Sequence, residues 1–271
     1  MELYRGEPWY ITGVIYDFRS VAARADRNAM LMAMESLVDE GPGAIWILED
    51  AELDNLERLR RAAEAHGLQL IHDSRVEGTA GLDLTAVEWA AASFREFIES
   101  FNDSLSPDEV ARYSASGIDG DWAAGGVRRL RARLLALVLL TLRGTPVVGG
   151  GPSDPDLVWL EGEERDPESD LNMVRHLVSL RRHCPALSAG DYHALQCEQE
   201  DVFAYVRETE LQRLTVVLNF SSQSVDVGMS GSVGNFVAGT HQVYGDGLPT
   251  DGGYVGLEGF EGRVYELRRS W

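Results

Sequence analysis

Five carboxylates stand where chemistry could be done: Asp17, Glu49, Asp50, Asp73 and Asp103. The first four each follow a short apolar run rich in β-branched and aromatic residues. A pair of carboxyl groups brought together by a fold can divide labour. One stays ionised as nucleophile or base, while the other, with a raised pKa, donates a proton. Competing chemistries have little support. The six histidines, His66, His72, His176, His183, His193 and His241, form neither an HExxH pair nor a Cys/His cluster, so no metal or cofactor is expected. No Gly-x-Ser-x-Gly elbow supports a serine nucleophile. Cys184 and Cys197 lack metal-knuckle or redox spacing and read as free thiols. The loop Val147-Val-Gly-Gly-Gly-Pro-Ser-Asp154 lacks the lysine and Ser/Thr of a phosphate loop and reads as a turn.

The elements that must position these groups follow from periodicity. Trp9 to Tyr16 is β-rich, and Met30, Met34 and Leu37 then mark one helical face ended by Gly41-Pro-Gly43. Ala44 to Leu48 is a second buried strand. Leu53, Leu56, Leu59 and Ala63 form another amphipathic face, and Leu68 to Ile71 a third strand. This alternation predicts parallel βαβ units. In a parallel barrel the chemistry lies at the C-terminal strand ends, which would hold Asp17, Glu49, Asp50 and Asp73. Leu134 to Leu142 predicts a buried helix running through Gly144-Thr-Pro146 into a strand ending near Val148. Asp166 to Asp170 offers an N-cap for a helix with Leu171, Val174, Leu177 and Leu180 on one face, ending before Pro185. Beyond it, Val202 to Val206, Leu214 to Leu218, Val225 to Val227 and Arg263 to Leu267 alternate with Ser, Gly and Asp clusters and predict an antiparallel β-sandwich. Phe203, Tyr205 and Tyr244 read as core or surface filler there. The expected fold class is α/β: an incomplete TIM-type (β/α) barrel over 1–187, followed by a C-terminal antiparallel β-sandwich over 188–271.

Composition narrows the partners. The chain has 271 residues, 44% of them hydrophobic, enough for real cores. Its net charge is −20 and all 24 basic residues are arginine, a surface that repels nucleic acid and anionic membranes. The longest apolar run, Leu134 to Leu142, is far below the about 20 residues that span a bilayer. The N-terminal residues lack the pattern of a basic start and apolar core, so a cytoplasmic location is expected.

Specific stretches carry a resemblance. Trp9-Tyr-Ile-Thr-Gly-Val-Ile-Tyr16, Ala25-Asp26, Ala44-Ile-Trp-Ile47, Leu70-Ile-His-Asp73, Gly144-Thr-Pro146, Ser179 to Leu187, Gly190-Asp-Tyr192 and Val216 to Phe220 resemble glycoside hydrolase family 13, the α-amylase and α-glucosidase family. The resemblance implies an α-linked oligosaccharide as ligand. It also implies substrate-binding places for Asp73 and Arg112 and the place of a transition-state-stabilising aspartate for Asp103, within Phe101-Asn-Asp103 and Ala111-Arg-Tyr113. Asn102-Asp-Ser104 with Pro107 nearby also reads as a helix-ending turn. The family keeps its nucleophile on strand 4 and its acid/base on strand 5. A complete barrel needs about 250 residues, and this one ends near Gly151, roughly a hundred short. The expected loss covers strands 4, 5 and 6. The implied protein is a family member that is catalytically impaired or inactive. The alternatives are an active shortened α-glucosidase and a non-catalytic binding or assembly module. The last would be similar to the heavy chains of amino-acid transporters, which Gly190-Asp-Tyr-His-Ala194 also resembles. An open barrel exposes a strand edge, so either a helix over Leu82 to Phe101 covers the gap or a homodimer closes it.

Overall fold

The computed structural model describes residues 13–17, 43–46, 57, 60–61, 63–65, 67–71, 79–106, 109–115, 125–149, 165–229, 233–246 and 253–268. Six parallel strands form its first sheet: β1 (Val14–Asp17), β2 (Gly43–Trp46), β3 (Leu68–Ile71), β4 (Thr79–Asp83), β5 (Val110–Ser114) and β6 (Thr145–Gly149). Their order is β3-β2-β1-β6-β5-β4. The last strand in sequence therefore pairs with the first, as in a barrel, while β3 and β4 form the two ends. β1 is buried except at its last residue and β2 is buried throughout, as expected where both faces of a parallel sheet are covered.

The sheet curls strongly. Arg112 on β5 and Trp46 on β2 are three strand spacings apart in the order, about 14 Å across a flat sheet. Yet the Arg112 guanidinium lies 4.7 Å from the centre of the Trp46 ring. The contact has both side chains leaning toward each other across one face of the sheet, as a sheet curling toward a barrel allows.

The strand count corrects the sequence reading. With β6 last in the barrel and β5 and β4 stacked beside it, the chain holds the first three and the last three strands of an eight-stranded barrel. Among the described residues two of the eight strand positions, those after β3, have no strand, rather than three. Seven residues separate Ile71 from Thr79, too few for even one βα unit. The overlooked strand is β4, whose Thr-Ala-Gly-Leu-Asp sequence is half exposed and carries no alternation to signal it.

The helices and the second half of the chain lie behind this sheet. Helix α1 (Ala91–Ser104) buries Ala91, Phe94 and Ile98. It starts later than the expected Leu82, because Asp83 instead caps a short 3-10 turn, Leu84–Ala86. Its buried face packs toward the sandwich rather than the open side of the barrel, with Phe94 against Phe220 at 4.7 Å between ring centres. Helix α2 (Gly126–Thr141) is buried on all sides from Ala132 onward, the mark of a helix sandwiched between layers. Helix α3 (Asp170–His183) is capped as expected: the Ser169 hydroxyl accepts from the Asn172 N–H at 3.1 Å. A short helix α4 (Pro185–Ser188) follows.

Strands β7 (Asp191–Leu195), β8 (Val202–Glu208), β9 (Gln212–Asn219), β11 (Asn235–Gly239) and β13 (Gly262–Arg268) make a five-stranded antiparallel sheet in the order β11-β13-β9-β8-β7. Strands β10 (Val225–Gly228) and β12 (Tyr254–Leu257) pair as a second, smaller sheet. Alternation along β8 divides the cores. Val202 and Ala204 face the small sheet, packing with Val227, Phe236, Val255 and Leu257. Phe203 and Tyr205 join the large core that runs through α2 and α3 to Val14, Tyr16, Ile45 and Tyr113 on the outer face of the barrel sheet.

Candidate functional site

Register determines which side chains face the hollow of the curled sheet, since partners in adjacent parallel strands point to the same side. Ile15, Ala44, Trp46 and Val147 form a separate small cluster, with Ile71 packed on it, apart from the large core on the helix-covered side. They define the inner face. At the C-terminal end, Ile71, Trp46, Asp17 and Gly149 lie in one row across β3, β2, β1 and β6. Val147 continues through Ser114 to Asp83, so these two also face inward, and Arg112 pairs with Gly81 one layer below. The cup thus gathers Asp17, Trp46, Arg112, Asp83 and Ser114.

The local sequence explains how these groups are held. Gly81 makes room for Arg112: a Cβ at position 81 would lie 2.7 Å from its Nη2. Trp46, 5% exposed, gives the guanidinium an aromatic face, a favourable contact for a cation. The Asp83 carboxylate accepts from the Thr85 N–H at 2.9 Å and the Thr85 hydroxyl at 2.7 Å, which fixes its orientation at the strand end. On the opposite face, the Tyr113 hydroxyl donates to Asn102 Oδ1 at 3.1 Å, and burial pushes its pKa up to about 12. Tyr113 is therefore a structural donor at physiological pH.

The structure unites some of the expected residues and separates others. Asp17 and Arg112 share the cup. Asp103 does not: it sits exposed in the last turn of α1, at the N-terminal end of the strands. There it lines a cavity of about 730 Å³ together with Val110 at the start of β5 and Gly144 just before β6. The helix-ending reading of Asn102-Asp-Ser104 matches this placement. Glu49, Asp50 and Asp73 lie outside the described residues, as does the glycine loop beyond Gly149. Sequence reasoning missed Asp83, Ser114 and the Gly81–Arg112 pair, because all belong to β4 or to its register with β5. Among the described residues, no group of three or more His, Cys, Asp and Glu side chains could hold a metal ion. No helix among them is long and apolar enough to cross a membrane.

No family model matches the chain. Curated relatives do. The amino acid transporter heavy chain SLC3A2 of Mus musculus is 34% identical across 36% of this chain and 25% of its own length. The probable oligo-1,6-glucosidase 2 of Bacillus subtilis is 34% identical across 30% of this chain and 14% of its own. The trehalose synthase of Thermus thermophilus is 35% identical across 28% and 8% respectively. The chain thus spans a quarter or less of the length of these relatives. Among solved structures, the trehalulose synthase MutB from Pseudomonas mesoacidophila MX-45 matches with a TM-score of 0.65 at 13% identity, over 96% of this chain and 100% of that one. Isomaltulose synthase PalI from Klebsiella sp. LX3 matches with a TM-score of 0.57 at 16% identity, over 89% and 68%. At these identities the structural matches speak for the fold, a TIM-type barrel with a C-terminal sheet domain.

Proposed function

Since this chain is a shortened relative of glycoside hydrolase family 13, the α-amylase and α-glucosidase family, we propose that it binds α-linked glucosides without hydrolysing them. The observation that carries this reading is the position of the gap. Among the described residues no strand stands between β3 and β4, where the family resemblance puts the nucleophile and the acid/base. Retaining hydrolysis needs two carboxyl groups about 5 to 5.5 Å apart, one attacking and one donating a proton. Among the described residues, the inner face offers Asp17 and Asp83, and the Asp83 oxygen Oδ1 is already engaged by Thr85. What the cup retains is suited to recognition. Arg112 stacks on Trp46, and Asp17 and Ser114 share the same inner face, a mixture of donors and acceptors with which sugar hydroxyls could exchange hydrogen bonds.

The proposal includes a domain division at 187/188, a second copy closing the open sheet edge, and a reducing, cytoplasmic setting. The last rests on Cys184 and Cys197 standing as free thiols. A second reading, a non-catalytic assembly module, is favoured by the similarity to the transporter heavy chain.

Hydrolysis of a chromogenic α-glucoside, followed with the parent chain and Asp103→Ala, tests the first reading, alongside calorimetric titration with maltose and isomaltose. We expect no turnover, measurable binding, and weaker binding in Arg112→Gln. Turnover by the parent chain would refute the proposal and restore the active alternative. A folded protein that neither turns over nor binds would leave the assembly reading.

A further inference from the structure

The strand end that carries Asp83 into the cup runs on into a strap, Leu84 to Trp89, that joins β4 to α1. Leu84, fully buried in the large core, pins the near end. Backbone bonds tie the middle: the Val87 N–H donates to the Leu84 carbonyl at 3.3 Å, and the Ala90 N–H to the Glu88 carbonyl at 2.8 Å. The Asp83 carboxylate closes the first turn by accepting from Thr85.

The far end is held by the other half of the chain. The Trp89 Nε1–H donates to the carbonyl of Phe220, just beyond β9, at 3.0 Å. The indole ring lies 5.0 Å from the ring of Phe220 and 6.3 Å from that of Phe260, centre to centre. From α2, the Arg131 guanidinium lies over both Trp89 and Phe260, 4.8 and 5.3 Å from the ring centres, so a cation meets two aromatic faces. Its Nε is sealed from solvent and has no hydrogen-bond partner among the described residues, which leaves the rings to answer it.

Phe260 reaches this place at a φ of 57°, in the left-handed region that a bulky residue rarely adopts. A backbone held against its local preference persists only where its surroundings over-determine it. Here the Phe260 N–H donates to the Ser221 carbonyl at 2.8 Å, which locks the turn to the same strand end that receives Trp89. What the distortion delivers is a ring against Arg131 and Trp89. We propose that Trp89 is a positioning residue: clamped by Phe220, Phe260 and Arg131, it lets the sandwich hold the strap, and through the strap the Asp83 carboxylate, in its place facing the cup. The use made of that place rests on the binding reading above, whereas the clamp itself does not.

The test uses the full chain, with amide ¹⁵N relaxation measured without ligand and maltose titrated by calorimetry. Trp89→Phe keeps an aromatic ring and removes the N–H, Arg131→Gln removes the cation from between the rings, and Val217→Ala trims the small-sheet core away from the clamp as a control for general loss of stability. In both clamp variants the order parameters of the Thr85 and Val87 amides should fall from the about 0.85 of rigid backbone toward the flexible range below about 0.6, and in Val217→Ala they should not. Maltose should bind about tenfold more weakly in the clamp variants, the equivalent of one hydrogen bond, and as in the parent chain in the control. Amides unchanged in both clamp variants would show that Leu84 alone fixes Asp83 and would overturn the proposal, as would equal loosening in Val217→Ala. Loosening confined to the clamp variants of a chain that binds no maltose would support the clamp and overturn only the ligand assigned to the cup.

Discussion

Replacing Arg181 by methionine should be among the most damaging single changes in the molecule. A helix leaves its last carbonyls without intrahelical partners, and α2 ends in the deepest part of the core. Arg181, fully buried, donates from Nη1 to the Leu140 and Leu142 carbonyls at 3.1 and 3.0 Å, and from Nη2 to the Gly144 carbonyl. Arg207, equally buried, donates to the Thr141 and Gly190 carbonyls at 2.8 and 2.9 Å. Burial lowers the two guanidinium pKa values to about 10 and about 9, so both stay charged at pH 7, and the negative end of the helix favours that charge. Methionine fills similar space but strands three buried acceptors, each costing about 1 to 3 kcal/mol. Release of the guanidinium's own desolvation penalty offsets part of this, leaving a net loss of about 3 to 5 kcal/mol. Arg207→Met strands two acceptors and should cost less, about 2 to 4 kcal/mol. Urea unfolding with matched slopes would measure both. A loss below about 1 kcal/mol for Arg181→Met, or a gain, would refute the capping argument and show that the buried charge is a net burden.

Thr141→Val should cost about 1 to 3 kcal/mol in the same urea assay, because the buried Tyr205 hydroxyl loses its 2.6 Å partner. Gly144→Ala should be worse than a typical surface change, at least about 2 kcal/mol, since φ is +129° and the new Cβ would press into the Ala111 carbonyl. Tyr113 titrates near 12 when folded and near 10 when unfolded, so its contribution is complete below pH 10 and lost between pH 10 and 12. Tyr113→Phe should therefore flatten the alkaline loss of stability by about 2 kcal/mol across that window, measured by urea titration at each pH. Gly81→Ala should push only the flexible end of Arg112, leaving the melting temperature nearly unchanged while altering Trp46 fluorescence and weakening maltose binding in the cup.

What was legible in the sequence was whatever burial had written as apolar pattern. The run from Leu134 through Val148 announces α2 and β6, and Ser169-Asp170 announces the start of α3, because packing on all sides and a capping hydroxyl each leave a local trace. β4 left none. Gly81 is there for the guanidinium of a residue thirty-one positions later, and Asp83 for a turn, so neither serves an alternating face. Arg181 and Arg207 were equally silent: in the sequence each looks like the polar side of its element, and only the end of α2, brought in by tertiary packing, gives it a buried role. Asp103 shows the converse error of locality. Its neighbours resemble a strand-end motif, but the strand they precede begins at Val110, which leaves the aspartate on a helix end at the other pole of the barrel.

The same topology explains how a barrel with no described strand between β3 and β4 holds together. In the order β3-β2-β1-β6-β5-β4, the centre of the sheet is the β1–β6 pair, and the large core behind it joins Val14 and Tyr16 to α2, α3 and the inner layer of the sandwich. Hydrophobic stabilisation scales with the apolar area buried, and that area is concentrated on the side away from the gap. The strands flanking the gap, β3 and β4, are partly exposed and carry little of it. The stabilising core therefore sits on the side of the barrel away from β3 and β4. A barrel with no described strand between β3 and β4 therefore gives up little of its core, whereas an equal gap around β1 and β6 would separate the sheet from its sandwich.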